Sequence, residues 1–235
     1  MAFVSADGPQ LVGRERRAET GQAAANRLAE RHFAMQHMDT AEFPRLEVVT
    51  LDPLLRGLLF TDGTVTRALE AQTLCRVTVD VVEQSRAPLS AQAAQHLEVD
   101  RRTECLRRRV TMSTNGSTPV VWAESHILPD RLPEGFLGVL DSTPNGIGGS
   151  IEQSRLESRR ELLWFRLGEP PSWAGAVSSS ASALIRLYRI ITSDRPALLI
   201  CEAFAVERKS GVYRPLGWTN AAVPLTNGSP PSSSG

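Results

Sequence analysis

The sequence predicts an α+β fold: a single domain built on one six-stranded antiparallel sheet, with helices gathered toward its N-terminal part. Two hairpins carry this prediction. The β-type runs 184–191 and 196–206 are joined by a short polar turn, and the runs 104–112 and 118–128 are joined by a turn that contains Asn-Gly. A chain of 235 residues is long enough for one such domain with extensions at its ends.

The two ends of the chain differ in composition from its middle. The N-terminal part is rich in Ala, Glu, Arg and Gln, which favour helices, but its apolar stripe is thin. We therefore predict a helical extension over 1–45 and a folded domain over 46–208. The remaining segment, 209–235, is predicted to be a partly disordered tail because its end is rich in Gly, Ser and Pro.

Two short helices are predicted at the start of the domain. In the segment 51–60, Asp52 is placed to cap a helix and Pro53 falls in its first turn. An Asp-Gly turn follows, and Thr64 is placed to cap a second helix over 65–70. The segments that follow are a strand at 77–82, a loop or short helix at 88–97, the hairpin at 104–128, a loop with a helical turn at 129–138, a strand at 156–167 and a loop at 168–182.

The segment 142–150 (STPNGIGGS) is predicted to be a glycine-rich loop. Glycines allow backbone N–H groups to approach a ligand closely. The segment lacks the Lys-Ser/Thr ending of a phosphate-binding loop, so it is not a loop of that type.

The overall composition argues against several classes of protein. The formal net charge is zero, so nothing indicates a general attraction to nucleic acid or to an anionic membrane. No apolar run approaches the roughly 20 residues that span a bilayer, and the N-terminus lacks the pattern of a secretory signal. Three cysteines are widely spaced and odd in number, which predicts buried free thiols, no metal site and a cytoplasmic location.

A single carboxylate interrupts the apolar face of the last predicted strand. Because side chains alternate along a strand, Glu202 shares one face with Leu198, Ile200, Phe204 and Val206. A carboxylate on such a face is costly unless it is paired or protonated. Two interpretations remain open: a structural salt bridge, or an active-site acid that meets a polar ligand inside the core.

Three consecutive arginines occupy the middle of the strand 104–112. Alternation places Arg107 and Arg109 on one face and Arg108 on the other. A solvated edge strand is the simplest interpretation. At least one guanidinium nevertheless faces away from its neighbours, which makes it a candidate for a buried cation that meets an anion or carboxylate.

Several short segments, taken together, carry a family resemblance. They are DGTVTRAL at 62–69, LR at 106–107, WAES at 122–125, IG at 147–148, LYR at 187–189 and CEAF at 201–204. In this order and spacing they resemble the chorismate pyruvate-lyases, and most of all the actinobacterial type of 4-hydroxybenzoate synthase. The resemblance covers roughly residues 50–207.

The resemblance implies a six-stranded antiparallel sheet with a site buried beneath helical flaps and with no metal or cofactor. It implies cleavage of chorismate into 4-hydroxybenzoate and pyruvate. The arginine that binds the ring carboxylate in the family falls on Arg107, and the glutamate that meets the 4-hydroxyl falls on Glu202. The backbone amides that help to hold the ring carboxylate fall on Val65 and Ile147.

Three further residues are expected to contact the substrate. Thr64 and Gly148 adjoin the two backbone amides, and Arg155 is the candidate for the second carboxylate. The sequence departs from the family pattern at Val65, where a longer side chain is usual, and in the loop before Ile147, where Pro-Leu-Gly is commoner. Both departures affect the shape of the pocket, although a backbone amide does not depend on its own side chain.

The chemistry of the reaction agrees with these residue types. Chorismate is a dianion, and a guanidinium offers a bidentate fork for one of its carboxylates. Peptide N–H groups near a helix start can satisfy the remaining lone pairs. Because aromatisation makes the elimination strongly downhill, positioning and charge stabilisation suffice, and no nucleophile or strong base is needed.

The same fold leaves other functions open. One alternative is a non-catalytic, sensor-type domain that binds a small molecule, although residues 1–45 are too short and poor in core residues for a winged helix-turn-helix domain. Another is a related chorismate enzyme that gives a different hydroxybenzoate. In each case the expected partner is a small molecule rather than nucleic acid or membrane, and the expected state is a monomer or a weak homo-oligomer.

Overall fold

The computed structural model describes residues 46–115, 118–143, 146–174 and 182–218. The strands are β1 Val77–Pro88, β2 Glu104–Thr114, β3 Val121–Ile127, β4 Arg159–Gly168, β5 Ser182–Thr192, β6 Arg195–Lys209 and β7 Val212–Pro215. The helices are α1 Pro53–Phe60, α2 Val65–Thr73, α3 Ala91–Leu97, α4 Phe136–Ser142 and α5 Gly146–Gln153.

The strands form one antiparallel sheet in the order β1-β2-β3-β6-β5-β4, and β7 pairs with the end of β6. The predicted α+β class, with six main strands and covering helices, is therefore confirmed. The sheet continues past the predicted end of the domain at residue 208, because β6 runs to Lys209 and turns back as β7. The predictions for residues 1–45 and 219–235 lie outside the described residues.

The helix signals near the start of the domain are confirmed. The Asp52 carboxylate accepts a hydrogen bond from the Leu54 N–H at 3.0 Å, and Pro53 is the first residue of α1. Thr64 occupies the capping position of α2, but its side chain makes no capping hydrogen bond. Its hydroxyl is therefore available for another contact.

The prediction of a loop over 142–150 is wrong for its second half, which forms the start of α5. The reason lies in packing. A Cβ atom on Gly148 would lie 2.3 Å from the Cγ2 atom of Thr64, so only glycine allows α5 to approach the start of α2 this closely. The glycine at 148 thus brings two helix N-termini together.

The helices form two groups on one face of the sheet and one group on the other. On the front face, α1 and α2 pack with the apolar side chains of β1, β2 and the C-terminal half of β6. On the same face, α4 and α5 pack against Tyr188, Ile190 and Ile200. The back face carries α3, which packs against Leu187 and Leu199. A gap remains on the front face between the two groups of helices.

Candidate active site

The gap on the front face is a cavity with a volume of about 560 Å³, its open mouth included. Its walls come from the sheet and from the N-termini of α2 and α5. The polar and charged side chains that line it are Thr64, Thr66, Arg108, Ser125, Arg160, Tyr188 and Glu202.

Glu202 lies in the floor of the cavity and is held by two neighbours on β5. Both Glu202 and Arg186 are almost fully buried. The Nε and Nη2 atoms of Arg186 lie 2.8 and 2.7 Å from Oε2 of Glu202, and the Tyr188 hydroxyl donates to Oε1 at 3.1 Å. Arg186 also donates to the backbone carbonyl of Leu58. The interpretation of Glu202 as a salt-bridged residue is therefore confirmed, and because the same carboxylate lines the cavity, its role as an active-site acid stays a prediction.

The charges and burial of Arg186, Tyr188 and Glu202 determine which of them donate hydrogen bonds and which accepts them. Burial alone would lower the pKa of Arg186, but the adjacent Glu202 carboxylate and Tyr188 raise it above the ordinary value. Burial, together with the Glu202 charge, raises the pKa of Tyr188. The phenol therefore stays protonated and donates to Oε1. A carboxylate has about four acceptor sites, so one position on Oε1 remains for a ligand.

The prediction that Arg107 shares a pocket with Glu202 is wrong. Arg107 lies on the back face, where its guanidinium pairs with Glu83, and its side chain is 30% exposed. Arg108 lies on the front face, lines the cavity and has a side chain that is 6% exposed. A shift of one residue along a strand moves a side chain to the other face, so the guanidinium that can meet a ligand beside Glu202 belongs to Arg108.

Arg108 is only partly neutralised by its neighbours. It donates to the Oε1 atom of the neutral Gln84, and its Nη1 atom lies 3.4 Å from the carboxylate of Asp141, which is mostly exposed. Its buried Nε atom has no hydrogen-bond partner within the described part of the chain. Burial lowers the pKa of Arg108, and Asp141 opposes this shift. A buried cation of this kind is ready to receive an anion.

A β-bulge keeps a carboxylate away from Arg108. In the β1–β2 pair, Val81 lies opposite Val110, and the register shifts before Glu83. As a result Gln84 lies opposite Arg108, and Glu83 is turned to the back face. Without the bulge, Glu83 would face Arg108 and occupy it.

The two helix N-termini bring four predicted residues into the cavity. Thr64 and Val65 line it at the start of α2, and Ile147 and Gly148 line it at the start of α5. The first N–H groups of a helix have no partner inside the helix and favour negative charge. The Thr64 Oγ1 atom is buried and has no hydrogen-bond partner among the residues described.

Arg155 does not join these residues. It follows α5 with a positive φ of 50°, is exposed and does not line the cavity. The sequence missed Arg160, which does line it from the edge strand β4. The Nη1 atom of Arg160 donates to the backbone carbonyl of Asp62.

The remaining charged cluster belongs to the back face of the sheet. Arg109 contacts Glu124 at 2.6 Å and Glu83 at 2.9 Å, and its guanidinium lies 5.5 Å from the ring centre of Trp173. Burial lowers the pKa of the neighbouring His126, while Glu124 raises it in part. We interpret this cluster as structural because its charges are paired with one another.

The described residues hold no other site of recognisable chemistry. Among them, no group of three or more His, Cys, Asp or Glu residues could hold one metal ion. Burial raises the pKa of the Cys105 thiol and raises that of Cys201 to about 12, so neither is an activated nucleophile. Over the same ranges, the helices are too short or too polar to cross a membrane.

The family model and the curated relatives that match this chain are all chorismate pyruvate-lyases. The family model of Rv2949c-like chorismate pyruvate-lyases matches residues 59–210. The chorismate pyruvate-lyase of Mycobacterium leprae is 30% identical over 173 residues, which cover 71% of this chain and 81% of that protein. The protein of the same name from Mycobacterium tuberculosis is 28% identical over 164 residues, covering 67% of this chain and 82% of that protein.

The chain is also similar to domains of two solved bacterial proteins. The effector domain of PhnF from Mycobacterium smegmatis superposes with a TM-score of 0.47 and 17% identity, covering 62% of this chain and 90% of that chain. The C-terminal domain of the histidine utilization repressor from Pseudomonas syringae gives a TM-score of 0.44 and 13% identity, covering 57% and 94%.

Proposed function

Because the chain belongs to the Rv2949c-like family of chorismate pyruvate-lyases, we propose that it eliminates pyruvate from chorismate to give 4-hydroxybenzoate. This reaction is that of a carbon–oxygen lyase. The observation that carries the proposal is a single cavity with Arg108 on one side and the clamped carboxylate of Glu202 on the other.

The reaction needs no co-reactant. The bond between C3 of the ring and the ether oxygen breaks, and C4 loses its hydrogen as a proton. The enolpyruvyl group takes up a proton on its methylene carbon and leaves as pyruvate, and the ring becomes aromatic. The protein must therefore orient the substrate and stabilise charge as the C–O bond breaks.

Arg108 anchors the ring carboxylate through charge-assisted hydrogen bonds. The N–H groups of Val65 and Ile147, at the starts of two helices, satisfy the remaining lone pairs. Strand β3 lies between β2 and β6, so the strands that carry Arg108 and Glu202 are about 10 Å apart, and Arg108 is level with Ile200, two residues before Glu202. The two side chains therefore reach the cavity at separate points of one face, as a ligand with a carboxylate at one end and a hydroxyl at the other requires.

Glu202 accepts the hydrogen bond of the 4-hydroxyl through the free position on Oε1. Arg186 and Tyr188 bond the Glu202 carboxylate at its other acceptor positions and leave this one free. Their effect on the substrate is therefore indirect, through Glu202. They hold the carboxylate in one orientation, with its oxygens placed to accept hydrogen bonds. The hydroxyl, and with it C4, is thereby fixed relative to the breaking C3–O bond.

The proposal is tested by mixing the purified full chain with chorismate, without added metal or cofactor, and by analysing the products by chromatography. We expect 4-hydroxybenzoate and pyruvate in a ratio of one to one. A different hydroxybenzoate isomer would instead indicate a related chorismate enzyme. Tight binding of 4-hydroxybenzoate without turnover would indicate a sensor-type domain, and no interaction with either compound would refute both functions.

A further inference from the structure

Among the described residues Arg160 has no carboxylate partner, although it lines the same cavity as Glu202. Its Nη1 atom uses one donor on the carbonyl of Asp62, and its Nε atom is buried without a hydrogen-bond partner among the described residues. By contrast, the preceding Arg159 lies on the other side of the strand, where it pairs with Glu161. Arg160 therefore presents unused donors to the cavity.

Within the described ranges, the charges around the cavity leave two arginines without a buried carboxylate partner. Glu202 is neutralised from behind by Arg186, so this pair contributes no net charge. Arg108 meets the neutral Gln84 and only the outer carboxylate of Asp141. Together with Arg160, this leaves two guanidinium groups facing one space. Because two like charges that face one cleft attract opposite charge into it, such a cavity is suited to a ligand with two negative charges.

The two guanidinium groups reach the cavity from opposite sides. Arg108 stands on β2 and Arg160 on β4, which is the fourth strand from β2 across the sheet. The Arg160 charge also offsets part of the rise in the pKa of Tyr188, whose hydroxyl donates to Glu202. Arg108, Arg160 and Glu202 all line one cavity, so a ligand that fills this cavity meets both arginines.

We propose that Arg160 binds the second carboxylate of a dianionic ligand, which is the carboxylate of the enolpyruvyl arm when chorismate is bound. The inference rests on the proposed function for the identity of the ligand, but not for its charge. Elimination removes the second carboxylate with the pyruvate. Arg160 therefore contacts the substrate but not the aromatic product. It raises the affinity for chorismate without raising the affinity for 4-hydroxybenzoate.

The test compares Arg160→Gln with Arg159→Gln, a matched variant whose side chain is 58% exposed and faces away from the cavity. Three quantities are measured: the KM for chorismate, the Kd of 4-hydroxybenzoate and the Kd of 3-(carboxymethoxy)-4-hydroxybenzoate, a stable dicarboxylate. We expect Arg160→Gln to raise the KM and the dicarboxylate Kd by roughly 10- to 100-fold, as for loss of a charged hydrogen-bond pair. The Kd of 4-hydroxybenzoate should stay within about twofold, and Arg159→Gln should change none of the three.

Two outcomes would overturn the inference. An equal loss of affinity for both aromatic ligands would mean that Arg160 acts on the ring or on the fold, and no loss for either would mean that it does not bind. If Arg160→Gln does not fold, Arg160→Lys serves instead, because it keeps the charge and loses only the fork. It should then weaken the dicarboxylate alone, by a smaller factor.

The same measurements separate this inference from the proposed function. A wild-type protein that binds the dicarboxylate through Arg160 but does not cleave chorismate would uphold the inference and refute the lyase activity. If instead the wild-type protein cleaves chorismate and Arg160→Gln leaves the KM unchanged, the lyase activity is upheld and the inference about Arg160 is refuted.

Discussion

The buried pair of Arg186 and Glu202 allows a direct separation of folding from catalysis. Removing one partner of a buried ion pair leaves the other charge uncompensated, which costs about 3–5 kcal/mol. Arg186→Met also leaves the Leu58 carbonyl without its donor, for a further ~1–3 kcal/mol. We therefore expect Arg186→Met and Glu202→Leu each to lower the free energy of unfolding by several kcal/mol, a large part of the total for a domain of this size.

The double variant, with both changes, should be far more stable than the sum of the single losses predicts. Replacing both charges by apolar side chains of similar volume is often neutral, so the remaining costs are the unpaired hydroxyl of Tyr188 and the unpaired carbonyl of Leu58, about 1–3 kcal/mol each. The coupling free energy from urea unfolding should then reach several kcal/mol. Turnover of chorismate should be lost in all three variants, because the acceptor for the 4-hydroxyl is missing or misplaced.

Additive stability losses would refute the claim that the two side chains form one buried pair. Near-normal turnover in the refolded, stable double variant would refute the role of Glu202 in the reaction. The two results are independent, since stability is read from urea midpoints and catalysis from kcat on folded protein.

The other predictions concern single positions. Arg108→Gln should lower kcat/KM by a factor between about 30 and several thousand, whereas Arg107→Gln should leave it within about twofold; equal effects in a steady-state assay would contradict the assignment of faces. Gly148→Ala places a Cβ atom 2.3 Å from a threonine methyl carbon and should cost about 1–3 kcal/mol in urea unfolding, while Gly138→Ala, which meets nothing within 4 Å, should cost nothing. Burial lowers the pKa of His126 in the folded state, so the unfolded chain binds more protons and stability should fall as pH drops from about 6.5 through the lowered folded-state pKa. His126→Gln should flatten that slope in urea midpoints measured between pH 7.5 and 5, and an unchanged slope would argue against the buried neutral imidazole.

Local sequence patterns predicted the parts of the fold that depend on near neighbours. Spacing alone predicts the N-cap at Asp52 followed by Pro53 and the two hairpins. It also predicts that Glu202 lies on an apolar face of its strand. Alternation also showed that Arg107 and Arg108 face opposite sides. It could not show which side is covered by helices, because that depends on where the helices pack. In a run of three arginines, a family resemblance also cannot decide which arginine matches the functional one.

The partner of Glu202 could not be predicted because a bulge intervenes. Counted outward from the pair Thr192–Arg195 without interruption, Glu202 would lie opposite Ile185. The register shifts by one residue near Ala197, which places Arg186 opposite Glu202. A similar shift in β1 decides that Gln84 rather than Glu83 lies opposite Arg108. Such bulges leave no clear mark in a single sequence, yet they determine which charges meet.

We propose that Arg108 and Glu202 hold opposite ends of one aromatic ring, and a crystal structure of the protein with 4-hydroxybenzoate would show whether they do. We expect the carboxylate within hydrogen-bond distance of Arg108 and of the Val65 and Ile147 amides, with the hydroxyl on Glu202. A ring bound in the reverse orientation, or outside this cavity, would contradict this proposal.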